Sequence, residues 1–155
     1  MPDPYSFNTK RYERYWLSVM HDDLDLCPET FVVAHGTSAD ALLRYAERYQ
    51  IWGALLVCPG GELYHAAERH GRAYVWYLIR NNCPWIAIIH GKGDPVMGDD
   101  EARILKDVLV VPSTLYREVE GGEDRFRHRT GPLTEVEQLV AYALTPPVQH
   151  PKEDS

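Results

Sequence analysis

The chain has 155 residues, 45% of them hydrophobic and 25% charged, with a net charge of −7. That length suits one domain with a real core. The acidic balance leaves no basic stripe to neutralise phosphates, which argues against nucleic acid as a partner. No run approaches the ~18 apolar residues of a membrane span. Cys27, Cys58 and Cys83 stand at unrelated spacings that give neither a zinc pattern nor a disulfide framework. The expectation is an intracellular, cytoplasmic protein without a cofactor, and Met1-Pro-Asp-Pro4 has neither the basic nor the apolar region of a signal peptide.

Residues 1–9 are polar, with two prolines, and read as an extended entry. Lys10 to Met20 carries Tyr12, Tyr15, Trp16, Val19 and Met20 at helical spacing. His21 to Pro28 reads as a turn and Thr30–Ala34 as a short strand. Ser38 or Asp40 is placed to cap a helix running to about Tyr49, with Leu42, Leu43, Tyr45 and Ala46 inward. Ile51–Cys58 has no polar alternation, as expected of a parallel strand covered on both faces. Pro59-Gly60-Gly61 ends it.

Residues 62–70 and 73–82 read as helices; Tyr74, Trp76 and Tyr77 of the second, with Trp85, are expected to pack between helix and sheet. Trp85–His90 is a third strand, followed by a loop to Pro95. Asp99–Leu109 is a helix with acids in its first turn, where the dipole favours them. Val110 and Val111 either close that helix or open a connection. Thr114–Val119 is the fourth strand and 120–132 a charged loop. Thr134–Leu144 is a closing helix with a capping box at Thr134 and Glu137, and 145–155 a disordered tail. The alternation predicts one α/β domain over 1–144, with a mainly parallel sheet of about four strands in sequential order and helices on both faces.

Phe31 to Glu47 has a further property: a buried strand, a sharp small-residue turn, then a helix, the form of the strained nucleophile elbow of α/β-hydrolases. Three stretches then resemble one family in order and spacing: Val33-Ala-His-Gly-Thr-Ser-Ala39 with Arg44-Tyr-Ala-Glu47; Trp76-x-x-Ile79 with Asn82-Cys-Pro-Trp-Ile86; and Asp94-Pro95. They resemble the small serine hydrolases of the retinoblastoma-binding protein 9 type, related to bacterial YdeN-like hydrolases. The likeness runs nearly to Leu144, and Met1 to Pro4 matches a segment just after that family's second strand. It implies a truncated α/β-hydrolase fold and a Ser-Asp-His triad in that chain order. The family's elbow reads Gly-His-Ser-Ser-Gly, and here Ala34-His35-Gly36-Thr37-Ser38 stands in its place. The resemblance therefore puts the nucleophile position at Gly36, the acid at Asp94 and the base at Glu123, within Gly121-Gly122-Glu123. Only the acid is retained.

The family's first strand, its Gly-rich oxyanion loop and most of its second strand have no counterpart in this chain. Thr30–Ala34 is then expected at a sheet edge, which is an aggregation template unless covered. A homodimer pairing those edges, or a partner protein laid there, would cover it, as would residues 1–20 folding differently than in the family.

Each residue also has a plainer reading. Asp94 can brace its own loop. Ser38 satisfies the first half of Gly-x-Ser-x-Gly with Gly36, but Asp40 stands where the second glycine belongs, so a first-turn role fits better. His35 suits a turn histidine, and His128 sits in a charged, solvated loop. His35, His90 and Asp94 lie at separate loop ends and are not read as a metal site. Asp25-Leu-Cys-Pro-Glu29 keeps the Cys and Glu of a retinoblastoma-binding Leu-x-Cys-x-Glu segment, but a charge replaces its apolar anchor, which argues against such binding. The reading that fits best is a catalytically impaired serine-hydrolase relative that acts by binding, as a homodimer. The alternative is an active hydrolase of small esters or acyl compounds, with Ser38 as nucleophile, His35 or His128 as base and Asp94 as acid.

Overall fold

The computed structural model describes residues 9–61, 64–65, 72–121 and 133–145. Four parallel strands form one sheet in sequential order: β1 (Phe31–His35), β2 (Gly53–Val57), β3 (Trp85–Gly91) and β4 (Tyr116–Val119). Val33 pairs with Leu55, and Leu55 with Ala87. Every β2 residue is buried, the reason its sequence shows no alternation. The helices are α1 (Thr9–Ser18), α2 (Thr37–Ala46), α3 (Trp76–Asn82), α4 (Asp99–Val108) and α5 (Thr134–Leu144).

Side chains of α2 and α3 (Leu42, Leu43, Ala46, Ile79) meet Ala54, Leu56 and Ile86 around one small interior void. Leu55, Val57, Ala87 and Ile89 point to the opposite face and are equally buried, and α5 packs on β2 and β3. Each such aliphatic side chain contributes about 1.5–3 kcal/mol by leaving water.

Several boundaries differ from the sequence reading. Helix α2 ends at Ala46, short of Tyr49, and neither Ser38 nor Asp40 caps it: the cap is Gly36, with no side-chain bond. The second strand shortens at both ends, because Trp52 N–H turns to Thr30 O (3.0 Å) and Cys58 takes φ 45°. Helix α3 starts only at Trp76. Residues 72–75 are held extended from α2, where Glu47 accepts from Val75 N–H (2.8 Å) and Arg44 donates to the carbonyls of Arg72 and Ala73. The Arg44 guanidinium also lies 3.9 Å from the centre of the Tyr74 ring.

Val19–Asp23 winds as a π-turn after α1, and Ser113–Leu115 as a 3-10 turn before β4, so Thr114 and Leu115 are not strand. The Thr134–Glu137 capping box does not form, for Leu133 is the cap residue and its carbonyl takes Glu137 N–H (2.9 Å). The aromatics divide: Tyr74 packs on Trp76, Trp85 instead meets Phe31 and Trp52, and Tyr77 is exposed. The helix expected at 62–70, apart from Tyr64 and His65, and the tail beyond 145 lie outside the described residues.

The end of α4 resolves the ambiguity at Val110 and Val111. Val111 N–H donates to Lys106 O (2.9 Å) and Val110 N–H to Asp107 O (3.0 Å), the paired bonds of a Schellman motif. Val110 must then adopt φ 56°, a left-handed conformation that suits glycine and strains a β-branched residue. Its side chain is exposed and packs little. Val110→Gly is expected to stabilise the chain by ~1 kcal/mol, read as a higher urea midpoint with an unchanged slope; a lower midpoint would mean that the valine side chain matters more than its backbone strain.

Candidate functional site

The carboxyl ends of parallel strands are where open α/β sheets bind ligands, and this edge gathers His35, Gly36, Cys58, His90 and the Asp94 loop. Its centre is the turn at Gly36. The residue sits at φ 58°, ψ −127°, outside the left-handed helical well and open at low cost only to glycine. Gly36 N–H still closes the β1–β2 ladder at Val57 O (2.9 Å), and its carbonyl accepts from Ala39 N–H (3.0 Å) to start α2. A single residue thus turns the strand into the helix, with the tip of the turn bearing no side chain.

The side chains around the turn are committed to the backbone. Ser38 Oγ accepts from His35 N–H (3.0 Å) and donates to His35 O (2.8 Å). Asp94 is buried, and its Oδ1 accepts from Val96 N–H (2.7 Å) and Met97 N–H (3.3 Å). Ser38 and Asp94 share no hydrogen bond, and His35 is half-buried at the end of β1. Glu123 and His128 lie outside the described residues. Cys27 is exposed in its loop, while burial pushes the Cys83 thiol up to about 12.

Two acidic groups not singled out by sequence are prominent here. His90, fully buried, meets Asp99 Oδ1 through Nε2 at 2.7 Å, and the same oxygen accepts from Gly93 N–H (3.1 Å). These bonds, His90 first, hold Asp99 below the usual carboxylate range. No hydrogen bond reaches His90 Nδ1 among the described residues.

Asp40 is 0% exposed in the first turn of α2. Its Oδ1 accepts from Gly60 N–H (2.8 Å), which ties the loop after β2 to the elbow helix. Its Oδ2 has no hydrogen-bond partner among the described residues. A Cβ at Gly61 would stand 2.7 Å from Thr37 Oγ1 and 2.9 Å from Asp40 Oδ2, so only glycine fits against the elbow. Burial pushes the Asp40 carboxyl from 3.8 up to about 7, against the backbone amides of Gly60, Gly61 and Tyr64 and the charge of His65. Across the edge, His65 Nε2 meets Val96 O at 2.7 Å. The sequence signal for this cluster was Pro59-Gly60-Gly61, read only as a strand terminator.

No family model matches the chain. The serine hydrolase RBBP9 of Rattus norvegicus is 29% identical over 151 residues, spanning 94% of this chain and 76% of that protein. The crystal structure of the ydeN gene product from B. subtilis superposes with a TM-score of 0.62 at 19% identity, over 92% of this chain and 78% of that one. The chain has an α/β-hydrolase-like fold and is similar to the RBBP9 and YdeN proteins. A Bacillus cereus carboxylesterase also aligns, with a TM-score of 0.48 at 18% identity, over 87% of this chain and 58% of that one. Among the described residues, no helix of this chain is long and apolar enough to cross a membrane.

The buried carboxyl makes stability depend on pH. A folded-state pKa of about 7 against 3.8 means that the folded chain holds a proton the unfolded chain has released. That stability is complete below 3.8, falls as pH rises and is fully lost above about 7. Asp40→Asn has no such term. Urea unfolding should show variant and parent nearly equal near pH 4, with the variant ahead by on the order of 4 kcal/mol near pH 8. A gap that does not vary with pH would show that folding does not shift the Asp40 pKa.

Proposed function

We propose that the chain is a catalytically impaired relative of the serine hydrolases that acts by binding, through the β1 edge at Thr30–Ala34, to a second copy of itself or another protein. The observation that carries this reading is Gly36. The turn keeps the elbow's backbone path, φ 58° and ψ −127°, while the residue in it offers no nucleophile. Acyl transfer by a triad needs a nucleophile, a base in hydrogen-bond reach and an orienting acid. In this reading Asp94 is the retained acid position, Gly36 the lost nucleophile and Glu123 the lost base. The rescue candidate Ser38 has other work, for its hydroxyl is spent on the His35 backbone. A cytoplasmic location belongs to the same proposal and rests on the spacing of the three cysteines.

The test is covalent labelling with a fluorophosphonate, read by intact mass. The expected result is no adduct on the native chain. A stoichiometric adduct at Ser38 would overturn the proposal and establish the active small-ester or acyl hydrolase.

The converse experiment rebuilds the chemistry. Gly36→Ser combined with Glu123→His should gain labelling at residue 36, while Gly36→Ser alone labels much more slowly for want of a base. Any side chain at this backbone conformation should cost ~1–3 kcal/mol of stability, measurable by denaturant melt of Gly36→Ala. Equal labelling of the single and double variants would show that position 123 does not face the elbow.

A further inference from the structure

The hydrogen-bonding parity of β1 sorts its backbone groups. Neighbouring residues of a parallel strand turn their N–H and C=O groups to opposite sides. Gly36 N–H bonds to Val57 O, so Val32, Ala34 and Gly36 face β2, while Phe31, Val33 and His35 face outward. The outward groups of His35 are already closed, since Ser38 Oγ takes its N–H at 3.0 Å and donates to its carbonyl at 2.8 Å. Phe31 and Val33 remain. Neither has a backbone partner on that side among the described residues, and the Val33 side chain is 47% exposed.

The two sheet edges are protected unequally. On β4, Arg117 and Glu118 place charge on the strand, and Arg103 clamps Glu118 through Nε (2.9 Å) and Nη2 (3.2 Å). Charge of this kind discourages edge pairing. On β1, Phe-Val-Val-Ala-His has no carboxylate, lysine, arginine or proline. The chain carries −7 overall, yet no acid lies between Glu29 and Asp40. Two copies can therefore meet along β1 without opposing like charges on that strand.

We propose that β1 is the seam of a homodimer in which two copies pair antiparallel about Val32, with Phe31 of one copy opposite Val33 of the other. This rests on the edge-binding reading above and specifies its partner and register. Each Phe31–Val33 pair exchanges two backbone hydrogen bonds, so every open group on both copies is used. Centring the pairing on Val33 would set Phe31 against His35, whose groups Ser38 holds. Ser38 thus acts as the register stop, a positioning role that accounts for a hydroxyl bonded to both groups of one residue.

The register is tested by cross-linking. Val32 would oppose Val32 of the second copy in a non-hydrogen-bonded pair, with Cα atoms ~4.5 Å apart, within disulfide range. In a Cys27→Ser background, which removes the exposed thiol, Val32→Cys is expected to oxidise to a reductant-sensitive dimer. Val33→Cys, which faces Phe31 across the seam, is expected to stay uncoupled. Sedimentation of the unmodified chain should give a dimer, and Val33→Lys a monomer with unchanged circular dichroism. A dimer cross-linked by Val33→Cys and not by Val32→Cys overturns the register. An unmodified chain that remains monomeric overturns the dimer, while loss of catalysis stands or falls separately on the fluorophosphonate result.

Discussion

The reversal at Gly36 is the constraint on which the functional edge depends. A strand must become a helix within one residue, and the backbone pays for this in ψ as much as in φ, at −127° and 58°. Once the turn is made, α2 lies back across the sheet with Ala39, Leu42, Leu43, Tyr45 and Ala46 buried. Asp40 then comes to rest under the Gly60–Gly61 loop and fixes the end of β2 beside the end of β1. Met97 closes the other side of that loop, since a Cβ at Gly60 would stand 2.6 Å from its own. Met97 is in turn placed by Asp94. The elbow, the β2 loop and the acid loop therefore form one packed unit, joined by carboxylates bonded to backbone amides.

This unit explains what Asp94 does in the described structure. A triad acid orients a histidine. Asp94 spends Oδ1 on two amides of its own loop, where it stabilises the turn in any protonation state of its neighbours. The Arg44–Glu47 pair behaves in a similar way: both residues belong to the stretch that carries the family resemblance, and both hold the segment before α3. Such residues are retained for packing whether or not a reaction occurs, so their presence alone is no argument for activity.

The strands were legible in sequence because burial on both faces demands uninterrupted apolar runs, and Gly53–Val57 and Trp85–Gly91 are such runs. Helix caps were less legible. Ser38 looked like a cap by residue type, but the positive φ that begins α2 belongs to glycine, which left the serine within the first turn and bonded to the strand. Thr134 and Glu137 had the spacing of a capping box, yet the helix starts from Leu133. Periodicity locates a helix, whereas its first residue depends on the incoming chain. Asp40 was read as a cap for a related reason: its residue type suits a helix start, whereas the amide that holds it buried comes from a distant loop.

Glycine at the elbow also changes the energetic balance of the fold. A side chain in that conformation stores ~1–3 kcal/mol of strain, tolerated at catalytic turns because function requires it. With glycine the same path is followed without that strain, so the elbow keeps its shape and gains stability. A domain of this size has a total margin of only ~5–15 kcal/mol, and the relief is a substantial share of it. Glycine at this turn can thus offset part of the cost of Asp40, held in the core at a pKa of about 7. Glycine at the turn and burial of an acid four residues later are then linked, and what they preserve together is the junction of β1, α2 and the β2 loop.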